Sequence, residues 1–285
     1  MKKHKICKIL LVILAIFLCV AFYELLGICV AYKKQPEVSN TTKKETKNGS
    51  WNECSENTER AVIIEKNPEA LLQRVRLIKN AKKEIILSTF AFQSDESGKL
   101  ILGALHDAAD RGVHIRLLVD GMESWIDMEG NPYFYGLSSH ENVEIKLYNK
   151  ANPLKPWKMM GRMHDKYLIA DGKRYILGGR NTYNYFLGDF PGHKNYDRDV
   201  LVVCDEPEKE NSVNQLSEYF ETIWNQEDSG YFHNNKKLAN RKSVKNAVLE
   251  LQNSYQKYFE ENKERICETN YTDETFETEK ITLVS

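Results

Sequence analysis

The stretch GRMHDKYLIADGKRYILGGRN, residues 161–181, decides the fold. KYLIA and RYILG are short runs of strand-forming residues. Between them stands Asp171-Gly172, a pair suited to the tight turn of a two-residue hairpin. In extended chain successive side chains alternate faces, so His164 and Lys166 are expected to point one way while Asp165 and Tyr167 point the other. That places an imidazole beside an ammonium. The cation favours the neutral, nucleophilic ring and offers a contact to a phosphate oxygen. Gly178-Gly179 after the returning strand allows close backbone approach to an anion, and Asn181 adds amide donors.

Outward from this hairpin the chain alternates strand and helix patterns. AVII near residue 61 reads as a strand. NPEALLQRVRLIKNAKK follows, with Asn67 as expected N-cap, Pro68 in the first turn and Leu71, Leu72, Val75 and Ile78 at helical spacing. EIILSTFAF is a strand, SGKLILGALHDAADRG a helix closed by Gly112, and VHIRLLVD and NVEIKLYN are further strands. Beyond the hairpin come the strand DRDVLVVC, the amphipathic helix SVNQLSEYFETIWN and a last long helix, SVKNAVLELQNSYQKYFEENKE. The terminal ETEKITLVS reads as a strand. This pattern predicts an α/β domain built on a mixed, largely buried sheet flanked by helices.

The N-terminus has a different character. Residues 9–32 hold one charged side chain, Glu24, and are long enough to cross a bilayer as a helix. A single-pass membrane anchor is expected rather than a cleaved signal, because the apolar run is long and no small-residue site follows it. Lys2, Lys3, Lys5 and Lys8 favour a cytoplasmic N-terminus and an extracytoplasmic domain, an asymmetry that Lys33 and Lys34 reduce. The expected organisation is a basic N-terminus (1–8), an anchor (9–32), a polar linker (33–58), a catalytic domain (59–228) and a C-terminal helical segment (229–285) that leads toward a second half.

Forty basic against 41 acidic residues give a formal charge of −1. That balance argues against a sequence-independent grip on nucleic acid, which draws on cationic surplus. The six cysteines form no C-x-x-C pair and do not cluster with histidines, so no metal site, disulfide framework or cofactor is expected.

The spacing H-x-K, four residues, D, six residues, GG, then R-N resembles the HKD motif of the phospholipase D superfamily. The surrounding segments, roughly residues 60–225, are similar to the N-terminal half of bacterial cardiolipin synthase-like members. The resemblance implies a phospholipase D-like α/β sandwich and catalysis through His164, Lys166 and Asp171. His164 would be the nucleophile that is transiently phosphorylated. Lys166, Gly179 and Asn181 would bind the substrate phosphate, and Asp171 would support local structure. Asp199, on the strand after the motif, would orient the histidine, with Asp197 as the weaker candidate. It further implies a membrane phospholipid as substrate, hydrolysed or transferred.

Members of this family with lipid substrates carry two such motifs, and this sequence has one. His193 is followed directly by Lys194, while His106, His140 and His233 lack a lysine two residues on, and His114 lies in an apolar strand pattern. A second histidine is therefore expected from a homodimer or a separately encoded second half. The alternatives are a single-motif nuclease-type phosphodiesterase and a catalytically incomplete half acting as a partner subunit.

Overall fold

A computed structural model of the chain describes residues 2–33, 59–158, 160–204, 211–278, 281 and 283. The linker expected at 33–58 lies, apart from Lys33, outside the described residues. The chain forms two units. One comprises Met1–Ser50 with Ala151–Arg162, the other Trp51–Lys150 with Met163–Ser285.

In the first unit, helix α1 (Lys2–Lys33) is the one described helix long and apolar enough to cross a membrane. The segment 151–162, which contains a single 3₁₀ turn at Pro156–Lys158, packs on its C-terminal part. The Tyr23 hydroxyl donates to the Leu154 carbonyl at 2.9 Å. Gly27 is the buried point of the helix, and a Cβ there would collide with the Pro156 ring.

The second unit is the expected mixed sheet. Its strands are β1 (Glu59–Ile64), β2 (Glu84–Thr89), β3 (His114–Asp120), β4 (Val143–Tyr148), β5 (Tyr167–Ala170), β6 (Arg174–Gly178), β7 (Asp199–Cys204), β8 (Ser229–Tyr231) and β9 (Phe276–Glu277). They lie in the order β8-β4-β3-β2-β5-β6-β7-β1-β9. Strands β2, β3 and β4 run parallel, and β5, β6, β7 and β1 continue the sheet antiparallel. The helices are α2 (Asn67–Asn80), α3 (Glu96–Asp110), α4 (Gly121–Asp127), α5 (Pro132–Ser138), α6 (Ser212–Trp224), α7 (Lys242–Glu261) and α8 (Lys263–Cys267).

Period-two alternation assigns the two faces. Ile85, Ile115 and Val143 stand in one row across the parallel strands and enter the larger core with Leu71, Val75 and Ile78 of α2, Leu105 of α3 and Leu251 of α7. Ile86, Leu118, Ile169, Tyr175 and Val202 face the other way, onto Val213, Leu216, Phe220 and Trp224 of α6. One sheet face thus carries several helices and the opposite face carries α6.

Local signals act as read in most places. Asp171 and Gly172 both take positive φ, 55° and 62°, as the primed hairpin turn between β5 and β6 requires. Gly112 closes α3 with φ 86°. Asp95, not singled out from the sequence as a cap, caps α3 by accepting from the Gly98 amide at 3.0 Å, and its other oxygen accepts from the Asn184 amide at 2.7 Å.

Asn67 differs from expectation. Lys66 is the N-cap of α2 and makes no side-chain cap bond. The Asn67 amide is buried and turned to other partners, donating to the carbonyls of Tyr185 and Asn195 and accepting from Arg180 Nε. The terminal strand expected over 277–285 lies largely outside the described residues, and Phe276–Glu277 pairs antiparallel with β1.

Candidate active site

The site is built where the parallel half of the sheet meets the antiparallel half, beyond the carboxyl ends of β2 and β3, the usual ligand position in an open α/β sheet. Ladder pairing of β5 begins only at Tyr167, so His164 and Lys166 lie in a lead-in segment, not within the strand. The expected alternation survives there. His164 and Lys166 both contact Phe90, whereas the Asp165 carboxylate accepts from the Tyr219 hydroxyl at 3.0 Å, on the α6 side.

His164 is solvent-exposed, its ring edge-on to Phe90 with centroids 4.6 Å apart. Lys166 is buried. Its Nζ donates to the His164 carbonyl at 2.6 Å and stands 5.3 Å from the Phe90 ring centroid. Burial holds its pKa below the ordinary lysine range, against the opposing pull of Asp165 and Asp197.

Asn181 is fixed from the same side. Its Oδ1 accepts from the Ala91 amide at 3.2 Å, which leaves the NH₂ end of the amide as the donor. Flanking bonds strap it down, from Thr182 N to Ala91 O at 3.0 Å and from Gln93 N to Thr182 O at 3.2 Å. Phe90 and Ala91 are therefore the shared wall. The ring of one touches the imidazole and the ammonium, and the amide of the next holds the asparagine.

The lead-in segment hangs from a buried carboxylate that sequence reading passed over. Asp120, at the end of β3, caps α4 with Oδ1, which accepts from the Met122 and Glu123 amides at 3.0 and 3.2 Å. Its Oδ2 accepts from the Met163 amide at 3.1 Å, one residue before His164. The available signal was the run LLVDG: an aspartate ending an apolar strand before glycine is a natural helix N-cap.

Three expectations are corrected. Asp171 supports local structure as the resemblance implied, but its grouping with the catalytic residues is corrected: it sits at the far end of β5, seven residues from His164 and on the order of 20 Å along an extended chain. Its carboxylate accepts from the amides of Lys82, Lys83 and Glu84 at 2.7 to 3.1 Å, and so clamps the entry to β2. It does not touch the reacting groups.

Asp199, expected to orient the histidine, makes no hydrogen bond to it. The side chain is fully buried, with Oδ2 2.9 Å from Arg74 Nη1 and 3.2 Å from Arg180 Nη1, and Oδ1 without a hydrogen-bond partner. Two buried guanidiniums hold this carboxylate because an unpaired buried charge is costly. Arg74 was legible as a cation on the apolar stripe of α2, and Arg180 as the residue between the glycine pair and Asn181.

The third correction concerns the glycines. A side chain at Gly178 would collide with the Asp199 carboxylate, and one at Gly179 with that of Asp197. The anions these glycines admit are the protein's own. Asp197 itself is exposed and acts electrostatically on both Lys166 and Arg180.

The other histidines of the second unit lie apart from this cluster. His114 is half-exposed at the opposite end of β3 and pairs with Glu84 and Glu144. His106 and His140 share Asp110, His193 meets Asn195, and His233 meets Glu129. Of the aromatic residues after Asn181, Phe186 packs against the core and Tyr185 is exposed.

Comparison with known proteins agrees with this architecture. Residues 74–224, just over half of the chain, match the family described as cardiolipin synthase, PLD-like domain. An uncharacterised protein of Helicobacter pylori strain J99 is 30% identical over 212 residues, 69% of this chain and 39% of its own length. Escherichia coli cardiolipin synthase C is 30% identical over 154 residues, 49% of this chain and 31% of its own. The chain thus spans between a quarter and two-fifths of the curated relatives it first matches. The crystal structure of phosphatidylserine synthase from Haemophilus influenzae superimposes with a TM-score of 0.50 at 17% identity, over 78% of this chain and 48% of that one, a likeness of fold. With the matched segment running from Arg74 in α2 to Trp224 at the end of α6 and enclosing the whole cluster around Phe90, the chain belongs to the cardiolipin synthase, PLD-like domain family of the phospholipase D superfamily.

Proposed function

We propose that this chain supplies one half-site of a membrane-tethered phosphodiesterase or phosphatidyltransferase that acts on phospholipids. The observation that carries the reading is the exposed His164 imidazole and the buried Lys166 ammonium against one ring, Phe90, whose neighbour Ala91 holds Asn181.

In this reading the neutral imidazole attacks the phosphorus of a phospholipid head-group ester. The phosphorus–oxygen bond to the departing alcohol breaks, and a phosphatidyl-histidine forms. Lys166 and the Asn181 NH₂ group hold the non-bridging oxygens, whose charge is drawn toward them as the transition state develops. Water or a second alcohol then takes the phosphatidyl group and regenerates His164. The departing alcohol needs a proton, and a second imidazole, from another copy or a separately encoded half, supplies it. Helix α1 anchors the site to the bilayer, where tethering raises the effective concentration of lipid.

The test is single-turnover trapping with the full chain in vesicles of phosphatidylglycerol radiolabelled in the phosphatidyl part. Label is expected on the wild-type protein after an acid-avoiding quench, and none on His164→Ala. Equal labelling of both proteins would remove the nucleophile assignment.

A further inference from the structure

The segment 151–162, ANPLKPWKMMGR, takes no part in the chemistry above, yet it ends two residues before His164. It belongs with α1. From Ile145 to His164 there is no acidic residue, while Lys146, Lys150, Lys155, Lys158 and Arg162 are cationic, in a chain whose overall charge is −1. The segment also exposes Leu154 (78%), Trp157 (46%) and Met160 (51%). Large apolar side chains interleaved with cations are the composition of a surface that enters the interface of an anionic bilayer.

The level at which the segment meets α1 fits that surroundings. Lys5–Lys33 is 29 residues, about 43 Å at helical rise, against roughly 30 Å of hydrocarbon. Twenty residues counted from Ile9 end at Ile28, so the boundary between hydrocarbon and head groups falls one residue beyond Gly27, the point where Pro156 packs. Tyr23, Tyr32 and Trp157 gather near this level, as aromatic residues do at membrane interfaces.

Four backbone amides of the segment are satisfied within it. The Leu154 amide donates to Asn152 Oδ1, the Lys155 amide to the Asn152 carbonyl, the Lys158 amide to the Lys155 carbonyl and the Gly161 amide to the Lys158 carbonyl, all at 2.9 to 3.0 Å. The Leu154 carbonyl is taken by Tyr23.

We infer that segment 151–162 is a membrane-reading insertion that seats in the head-group layer of an anionic bilayer beside the last turns of α1. Leu154 and Trp157 enter the boundary, with Lys155 between them at the level of the lipid phosphates. The inference rests on the proposed membrane-spanning role of α1.

The experiment uses the full chain in bilayers of phosphatidylglycerol with phosphatidylcholine brominated either near the top of its acyl chains or near their ends, reading tryptophan fluorescence. Trp157→Phe isolates the Trp157 contribution by difference. That contribution should be quenched at least about twofold more by the shallow bromines than by the deep ones, the ordering expected of an interfacial indole. Lys155→Gln should reduce the quenching and weaken its dependence on phosphatidylglycerol. If the quenching of Trp157→Phe equals that of the wild type while the chain resists alkaline carbonate extraction, the anchor stands and the insertion is overturned. Release of the chain by carbonate would overturn both.

Discussion

Lys166 is the residue on which the chemistry is most exposed to pH. Burial lowers its pKa, and the nearby Asp165 and Asp197 oppose that shift only in part. The sign follows directly: the ammonium proposed to hold the substrate oxygens is present below its lowered pKa and is lost as pH rises through it. Turnover is expected to show an alkaline limb beginning below the ordinary lysine range, and Lys166→Arg should abolish that limb. The arginine variant stays charged at every accessible pH, yet its planar fork does not reproduce a point charge, so its plateau rate should also fall. A pH–rate profile of the two proteins checks this, and an identical alkaline limb in both would assign it elsewhere. The histidine, lysine and asparagine that meet the Phe90–Ala91 wall come from one 18-residue stretch, so their spacing and the resemblance it carries were enough to single them out together. Asp199 was misread because the group that holds it includes Arg74, 125 residues away in α2, and a one-dimensional pattern carries no information about which distant cation occupies a buried carboxylate.

At the scale of elements, two aspartates position the hairpin without touching substrate. Asp171 accepts three backbone amides at the start of β2. Hydrogen bonds to a charged acceptor are each worth about 1.5–3 kcal/mol, and water recovers part of them at this exposed edge. Asp171→Ala should therefore lower unfolding free energy by roughly 2–4 kcal/mol, read by denaturant titration, while the turnover of the folded fraction stays near wild type. A large loss of turnover without loss of stability would restore Asp171 to the catalytic set.

Asp120 should behave oppositely. It joins the end of β3, the start of α4 and the Met163 amide, so its loss loosens the segment that carries His164. Asp120→Asn keeps the cap but sets an NH₂ against the Met163 amide, so the expected stability cost is about 1 kcal/mol, with a fall in kcat on the order of 100-fold, the scale set by a misplacement of about 1 Å, and little change in KM. An unchanged kcat would show that the segment holds its shape without this bond. The hairpin itself was legible because Asp171-Gly172 is a strong turn signal. The start of β5 was not, since ladder pairing stops where the lead-in segment departs for Asp120, and nothing in MHDK marks that departure.

For the whole molecule, the alternation of strand and helix in the sequence was enough to give a mixed sheet between helices, because burial on both faces imposes long apolar strands. It could not show that one face carries α6 while the other carries several helices, since both faces are equally apolar in the strands themselves. The same limit applies to partnership. Among the described residues no second histidine stands with His164, and the proposed chemistry needs two imidazoles, one to attack and one to protonate the departing alcohol. If two copies of this chain share one composite site, both must contribute an intact His164. Mixing wild type with His164→Ala under conditions of subunit exchange then gives an activity that follows the square of the wild-type fraction, so that an equal mixture retains about one quarter of the wild-type rate at constant total protein. A chain that works alone would retain about half. A chain completed by a separately encoded half would show little activity in every mixture until that half is added, and titration of the second half would then restore turnover in proportion to the wild-type chain. The mixing curve, measured on phosphatidylglycerol vesicles with the full chain, separates the three arrangements by shape and does not depend on knowing which alcohol accepts the phosphatidyl group.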